Sequence, residues 1–330
     1  MAENFNNFSE VFSKIKNHGI IPVIPTVEDT SKVLPLTEAL SSGGVAIAEI
    51  KFESEHTAAA IKKISSFFPD MLLIASNIST LKQVKSAAAS GAKIIIPLGF
   101  NKSVVSYCME NNLAVIPECS DSEDIDEALS EGVEVIGFLL AKKTGGIDAL
   151  KELSAKYPQI RFILRGGINA DNLADFLSYK SVMACRTSCM CEEEYIIGSE
   201  FPKIKSLTSQ AIYKMLGYTF SHVVINCEQR EQADHYSGKI ESLFGFKKSD
   251  DGVTVSNAGI MHFMTSKSYY GKNGQLAIST NFMDRAVFYL KEGKHQDLIE
   301  ESARFDADGE LVSIYLDSMI GGFAIKVVKK

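Results

Sequence analysis

The sequence predicts an α/β chain in two parts. A (β/α)8 barrel of the TIM type occupies residues 1–217, and an α+β domain of paired strand–helix–strand modules occupies 218–330. Three observations lead there. Eight short β-branched or apolar runs alternate with helical stretches through the first two thirds of the chain, the rhythm of a parallel barrel. Two of those runs, KIIIP and VIGFLLA, are almost wholly apolar, as strands covered on both faces require. After Tyr218 the strands lengthen and alternate, and the order strand, helix, strands occurs twice in units of about 55 residues.

The eight barrel runs are Ile20 to Ile24, Val45 to Phe52, Leu72 to Ser76, Lys93 to Pro97, Ala114 to Ile116, Glu134 to Leu140, Ile160 to Leu164 and Ser181 to Cys185. Between them lie amphipathic stretches such as Thr57 to Phe67 and Leu81 to Ala89. Ser79 and Asn169 stand where helix N-caps are expected. A long helix from about Pro202 to Leu216 closes the barrel, and no Pro/Gly/Ser-rich linker marks the boundary near residue 217. In the second part the strand candidates are FSHVVINC, GIMHFM, GQLAIST, ELVSIYL and GGFAIKVV, with helices at about Gln229 to Phe244 and Asp284 to Lys294.

Composition narrows the function classes. Of 330 residues, 45% are apolar and 23% charged, which is ordinary for a globular chain. A net charge of -7 argues against nucleic acid or an anionic membrane surface as the main partner, though a local basic pocket for a small anion remains compatible. No apolar run approaches the ~20 residues of a membrane helix. The first residues lack a basic segment followed by an apolar one, so no secretory signal is expected. Six scattered cysteines in a chain of this size read as reduced thiols in a cytoplasm. Cys185, Cys189 and Cys191 have C-x3-C-x-C spacing, but neither a CxxC pair nor a nearby His accompanies them, and packing is the expected role.

Several segments are familiar as a set: PVIPTV near Pro22, ALSSGGVAIAEIKF ending at Phe52, SGAKIIIPLGF ending at Phe100, AVIPECSDSEDIDEALSEG ending at Gly132, TGGIDALKEL from Thr144, and IRFILRGGINADN from Ile160. On these the chain resembles the 2-keto-3-deoxy-6-phosphogluconate / 4-hydroxy-2-oxoglutarate aldolase family over nearly all of residues 8 to 215. The resemblance implies class I aldol chemistry. A lysine on the sixth strand forms a Schiff base with a 2-oxo acid, and a glutamate on the second strand moves protons. It also implies that no cofactor is needed in the barrel, and a homo-oligomer, commonly a trimer. Glu49 falls at the glutamate position. The lysine position is Gly137, and a glycine cannot form an imine.

Other positions depart as well. The family's second-strand arginine is Glu53, its third-strand threonine is Ile78, and the Pro-Thr before its seventh-strand Gly-Gly is Leu164-Arg165. Its eighth-strand Gly-Gly is Arg186-Thr187, and Glu118 stands where it has glycine. Gly166 and Gly167 remain. Strand alternation puts Glu49, Lys51 and Glu53 on one face, and Asn77, Glu118, Arg165 and Arg186 join them around the mouth. Buried charges are costly unless paired, so such a mouth either binds something polar or is locked by its own ion pairs. Lys51 is a candidate relocated Schiff-base amine, but flanking carboxylates would stabilise its ammonium, which makes a structural ion pair the alternative. Lys142 and Lys143 follow the sixth strand and read as loop lysines. Arg165 and Arg186 suit a carboxylate or phosphate beside Gly166-Gly167, or else pair with Glu118 or Glu53.

The second part resembles the glyoxalase / bleomycin-resistance / dioxygenase superfamily (vicinal oxygen chelate). SHVVINC from Ser221, GQLAISTNFMDRAVFYLKEG ending at Gly293 and IGGFAIKVV from Ile320 carry the resemblance. It implies paired βαβββ modules holding a divalent metal through one ligand from each of four strands. Those positions are His222, His262, Gln275 and Lys326. Two imidazoles and an amide oxygen could hold a metal with an open position. Lys326 argues against this and could instead replace the metal as the positive charge, and the histidines could simply be hydrogen-bonded cavity residues.

Three functions follow as expectations. The first is an aldolase-like protein handling a small 2-oxo acid or sugar acid, with Glu49 as acid/base and Lys51 beside it. The second is a binding or regulatory pseudoenzyme using the same pocket for a small anionic metabolite. The third places metal-dependent chemistry at His222, His262 and Gln275.

Overall fold

The computed structural model describes residues 8–25, 29–53, 55–140, 145–252, 254–264 and 270–330. It divides into two compact units, Met1–Met215 and Leu216–Lys330. Lys142 and Lys143 lie outside the described residues.

In the first unit α1 (Ser9–His18) precedes β1 (Ile20–Ile24). Strands and helices then alternate: α2 (Val33–Ser42), β2 (Ile47–Lys51), α3 (Glu55–Phe67), β3 (Leu72–Ile78), α4 (Leu81–Ser90), β4 (Ile94–Pro97), α5 (Lys102–Glu110), β5 (Ala114–Val115), α6 (Ser122–Ser130), β6 (Val135–Leu139), α7 (Gly146–Lys156), β7 (Arg161–Arg165), α8 (Leu173–Leu177) and β8 (Val182–Thr187). Two helices follow, α9 (Glu193–Ile197) and α10 (Phe201–Leu216). The strands are parallel in the order β5-β4-β3-β2-β1-β8-β7-β6. Residues just past β5 close the ring: the Gly137 amide donates to Pro117 O at 2.9 Å and the Cys119 amide to Gly137 O at 3.0 Å. The result is a near-closed eight-stranded barrel, consistent with the predicted TIM architecture.

Local chemistry explains most boundaries. Asp121 caps α6 by accepting from the Glu123 and Asp124 amides, as an N-cap carboxylate does for the orphan N–H groups of a first turn. Thr80, next to the expected Ser79, caps α4 in a reciprocal box with Gln83. Asn169 does not cap α8 directly; its side chain accepts from the Asp171 and Asn172 amides and forms a turn ahead of that helix. β8 runs two residues beyond the expected Cys185, because Arg186 and Thr187 keep register with Ile21 and Pro22. Between the sheet and its helices, Phe138 and Phe162 are fully buried and meet edge to face at 6.1 Å.

The second unit holds β9 (Thr219–Asn226), α11 (Arg230–Phe244), β10 (Lys248–Asp250), β11 (Thr254–Asn257) and β12 (Met261–Met264). The same pattern repeats as β13 (Gly274–Thr280), α12 (Met283–Phe288) running into a π-helical turn Tyr289–Gly293, β14 (Leu298–Phe305), β15 (Leu311–Ile320) and β16 (Phe323–Lys329). The sheet order is β10-β11-β12-β9-β13-β16-β15-β14, with β9 and β13 antiparallel at its centre. Each half is therefore a βαβββ module, and the two halves are mirror-ordered about that central pair. Gly274 sits at the junction with φ 128°, where an added Cβ would lie 1.9 Å from Val224 O. Only glycine tolerates that approach. Strands β10, β11 and β14 are absent from the sequence-based expectation. β10 is exposed throughout and β14 carries adjacent glutamates, so neither shows an apolar alternation.

Burial also fixes an acid sensitivity. His18, at the end of α1, is buried, and this holds its imidazole down at about 3, with nearby Lys14 adding to the effect. The unfolded chain takes up that proton near pH 6.5 and the folded one only near pH 3. Across this window the unfolded state binds more protons, so stability falls as the pH drops, by about 1.4 kcal/mol per unit at full effect. We expect His18→Gln to have a shallower loss of unfolding free energy than the wild type from about pH 6 to about pH 4. Equal slopes in denaturant titrations would remove His18 as the cause.

Candidate functional site

Parallel register decides which side chains share the barrel interior, since paired residues point the same way. Val23 pairs with Glu49, Ile21 with Arg186, Leu139 with Arg165, and Arg165 with Arg186. Glu118 forms an isolated bridge with Gly137. The strands therefore bring Glu49, Glu118, Arg165 and Arg186 together at their C-terminal ends, the end at which such barrels carry their sites.

These four side chains form one continuous ion-pair chain. Arg186 Nε donates to Glu49 Oε2 at 2.5 Å, and its Nη2 donates to Glu49 Oε1 at 2.6 Å. Its remaining nitrogen, Nη1, donates to Glu118 Oε1. Glu118 Oε2 accepts from Arg165 Nε at 2.8 Å. Glu49 is 1% exposed and Arg186 7%, whereas the Arg165 side chain is 41% exposed. Burial alone would lower the basicity of Arg186, but the two carboxylates outweigh it and push the guanidinium further up. Of the alternatives open for Arg165 and Arg186, pairing with Glu118 is the one seen.

Gly137 explains the placement of Glu118. A Cβ at position 137 would lie 2.9 Å from Glu118 Cδ and 3.0 and 3.1 Å from its oxygens. The Glu118 carboxylate thus fills the space just above the glycine, and two arginines hold it there.

A cavity of about 500 Å³ opens over this cluster, lined by Glu49, Lys51, Arg165, Gly166, Arg186 and Glu192 among others. Gly166 and Gly167 turn away from β7 with φ 97° and 67°, and a Cβ on Gly166 would strike Leu139 at 2.8 Å. Asn169, Cys189 and Gly167 also face this space. Thr187 donates to Ile168 O at 2.6 Å and accepts from the Cys189 amide at 3.2 Å, tying the β7 and β8 loops together. Cys191 donates its thiol to Val23 O at 3.2 Å, and burial raises its pKa, which makes it a packing residue.

Three expected positions differ from their neighbours. Lys51 is exposed at the end of β2 and lines the cavity. It does not form the expected pair with Glu49, because both Glu49 oxygens are taken by Arg186. Glu53 lies past β2, exposed and outside the cavity lining. Asn77 is also outside the lining; it adopts φ 66° where the register between β3 and β4 shifts. Glu192, on the loop before α9, is a lining residue that sequence inspection missed, since nothing in its local pattern distinguishes it from a solvated glutamate.

The KDPG and KHG aldolase family model matches residues 11–207. The chain belongs to this family. The 2-dehydro-3-deoxy-phosphogluconate aldolase of Treponema pallidum is 32% identical over 202 residues, which are 61% of this chain and 96% of that protein. That of Haemophilus influenzae is 30% identical over 203 residues, 62% of this chain and 95% of that protein. Among solved structures, the KDPG aldolase of Legionella pneumophila, with pyruvate captured at low pH as a covalent carbinolamine intermediate, superposes with a TM-score of 0.58 at 28% identity. It covers 61% of this chain and 97% of that one. The aldolase family match lies within the barrel unit.

In the second unit the four positions implied as metal ligands lie on one sheet face. His222 pairs with Ala277 and Ala277 with Lys326, while Lys326 pairs with Tyr315. His262 and Gln275 both pair with Val224, two residues along β9 from His222. The His222 and His262 rings meet edge to face at 5.0 Å. Burial lowers the His222 pKa, and nearby His262 and Lys326 lower it further. Gln275 Oε1 accepts from the Tyr315 hydroxyl. Among the described residues, no group of three or more His, Cys, Asp or Glu could hold a metal ion.

The packing at the bridge between positions 118 and 137 is testable by a double-mutant cycle. Gly137→Ala is expected to destabilise the barrel by about 1–3 kcal/mol through overpacking against the pinned carboxylate. In a Glu118→Gly background the same change is expected to cost markedly less. Chemical denaturation of the four proteins checks this, and additive effects would disprove the contact.

Proposed function

We propose that the barrel mouth takes a small anionic metabolite, a 2-oxo acid or a related sugar acid, and that it does so without an imine at position 137. The observation that supports this best is the division of charges at the mouth. Glu49, Arg186 and Glu118 are committed to one another, whereas among the described residues Lys51 has no ion-pair partner and lines the cavity beside Arg165. Arg165 gives only Nε to Glu118, leaving its terminal nitrogens to a ligand carboxylate. Glu192 supplies an acceptor and the Asn169 side-chain amide a donor, both suited to hydroxyl groups, which favours a hydroxylated acid over a plain one.

The same geometry weighs against class I cleavage. A carbinolamine needs an amine, and the family's lysine position is Gly137, whose Cβ space Glu118 occupies. A proton-transferring Glu49 would have to give up two charge-assisted hydrogen bonds to Arg186. The protein is then an aldolase-family binding or regulatory protein, with carbon–carbon lyase chemistry as its ancestral activity. We read the second unit as glyoxalase-like on the strength of its two βαβββ modules. A cytoplasmic homo-oligomer remains part of this proposal.

Borohydride trapping with pyruvate, read by intact mass beside a family aldolase that traps, tests the absence of an imine. We expect no adduct from the wild type and an adduct from the Gly137→Lys, Glu118→Gly double variant. A wild-type adduct mapping to Lys51 would overturn the reading in favour of a relocated amine. For binding, calorimetric titration with gluconate is expected to show a Kd raised about tenfold by Lys51→Met, as for one lost charge-assisted contact. Unchanged affinity would remove Lys51 from the site.

A further inference from the structure

The second unit contains a lysine whose surroundings demand an anion. Lys326 is half-buried on β16, and among the described residues no carboxylate pairs with it. The charged neighbour that acts on it is Arg304, another cation. Its Nζ lies 5.3 Å from the Tyr315 ring centroid, a weak substitute for a counter-charge. At this half-buried position the ammonium loses part of its hydration, which an anionic ligand would replace.

The row around it holds small residues and two imidazoles. Ala277, fully buried, separates His222 from Lys326 across three strands, so the residue between them in the row is small. Ala324 sits beside Gln275 in the next row. His222 uses Nδ1 with Ser221 Oγ at 3.0 Å, and His262 uses Nε2 with Gly259 O at 3.2 Å. Among the described residues their other ring nitrogens have no partner. Tyr315, held by Gln275 and stacked at 4.8 Å on Tyr270, makes an apolar wall.

The divalent metal expected from the resemblance does not fit these residues. Two imidazoles fall short of the three or four donors that such a site uses. The Gln275 oxygen is taken by Tyr315, and the fourth position is an ammonium that repels a cation.

We infer that His222, His262 and Lys326 line a binding site for a small monocarboxylate, with the carboxylate on Lys326 Nζ, His222 donating to it through Nε2–H, and the His262 ring packed beside His222. One ammonium matches a single negative charge better than a phosphate dianion, and the tyrosine wall suits a short carbon chain. This inference is independent of the barrel-mouth proposal.

Histidine ring resonances of the full chain, labelled at 13Cε1, read this site alone. Of six histidines, two lie here and none lines the barrel cavity. His222→Gln and His262→Gln assign the two signals. Titration with pyruvate is expected to move both saturably in the wild type and in Lys51→Met. In Lys326→Met the apparent affinity is expected to fall at least tenfold, while Lys326→Arg retains it. Unmoved His235 and His295 signals, which belong to the same unit, show that it is folded in each variant. Rings that do not respond to pyruvate, or respond equally in Lys326→Met, would overturn the site. A response to inorganic phosphate in place of pyruvate would overturn the carboxylate assignment, and a stoichiometric response to Zn2+ alone would restore the metal reading.

Discussion

Arg186 stands between Glu49 and Glu118, and the barrel mouth is arranged around that placement. Each carboxylate taken from water carries a penalty of several kcal/mol, and only a well-made pair offsets it. Arg186 can serve both because its guanidinium presents donors in a planar fork: two nitrogens meet one carboxylate side-on and the third reaches the other. Lysine at that position could not make this geometry. Removing the arginine would leave two buried anions facing each other, a loss of about 3–5 kcal/mol by analogy with broken buried pairs. The cluster is thus a structural element of the barrel and also the floor of its cavity.

Glycine at position 137 and glutamate at 118 are sterically matched. The two residues face each other across the closing bridge of the barrel, and the space above the glycine holds one side chain. In the family resemblance that space belongs to a lysine arising from 137, with glycine opposite. Here the side chain arises from 118 and carries the opposite charge. A carboxylate there requires cations, and Arg165 and Arg186 stand at its two oxygens. Glu118 and its two arginines supply both volume and charge at this level of the barrel, so the pocket is packed and polar with glycine at position 137.

How far this could be read from the residues differs by kind of information. All eight barrel strands were legible because parallel strands buried on two faces leave apolar runs; the end of β8 was not, because its last residues are Arg186 and Thr187. Strands β10 and β14 are polar and stayed invisible. Alternation put Glu49, Lys51 and Glu53 on one face, and the family resemblance made that face the interior and added Glu118, Arg165 and Arg186 to it. Pairing did not follow. Spacing of two along a strand suggested Lys51 for Glu49, but the partner is Arg186, two strands away, and its side chain is long enough to cross β1. Asn77 looked inward by position and is displaced by a register shift that no local signal announces. In the second unit the sequence yields the four positions, but only the strand register shows that Ala277 lies between His222 and Lys326.

The two uncommitted lysines differ in what their surroundings ask of a ligand. Lys51 is exposed, so water already solvates its ammonium and leaving it unpaired costs little. Lys326 is half-buried with arginine for a charged neighbour, so part of its hydration is lost, and among the described residues the Tyr315 ring replaces it only weakly. A carboxylate at about 4 Å is worth about 1 kcal/mol to a fully hydrated ammonium and about 4 kcal/mol at an effective dielectric near 20. At the barrel mouth, where charge is mostly neutralised internally, selection must come from the shape of the cavity and the hydrogen bonds of Arg165, Asn169 and Glu192. At Lys326 attraction itself can do most of the holding, and selection falls to the apolar wall of Tyr315 and to the single charge available.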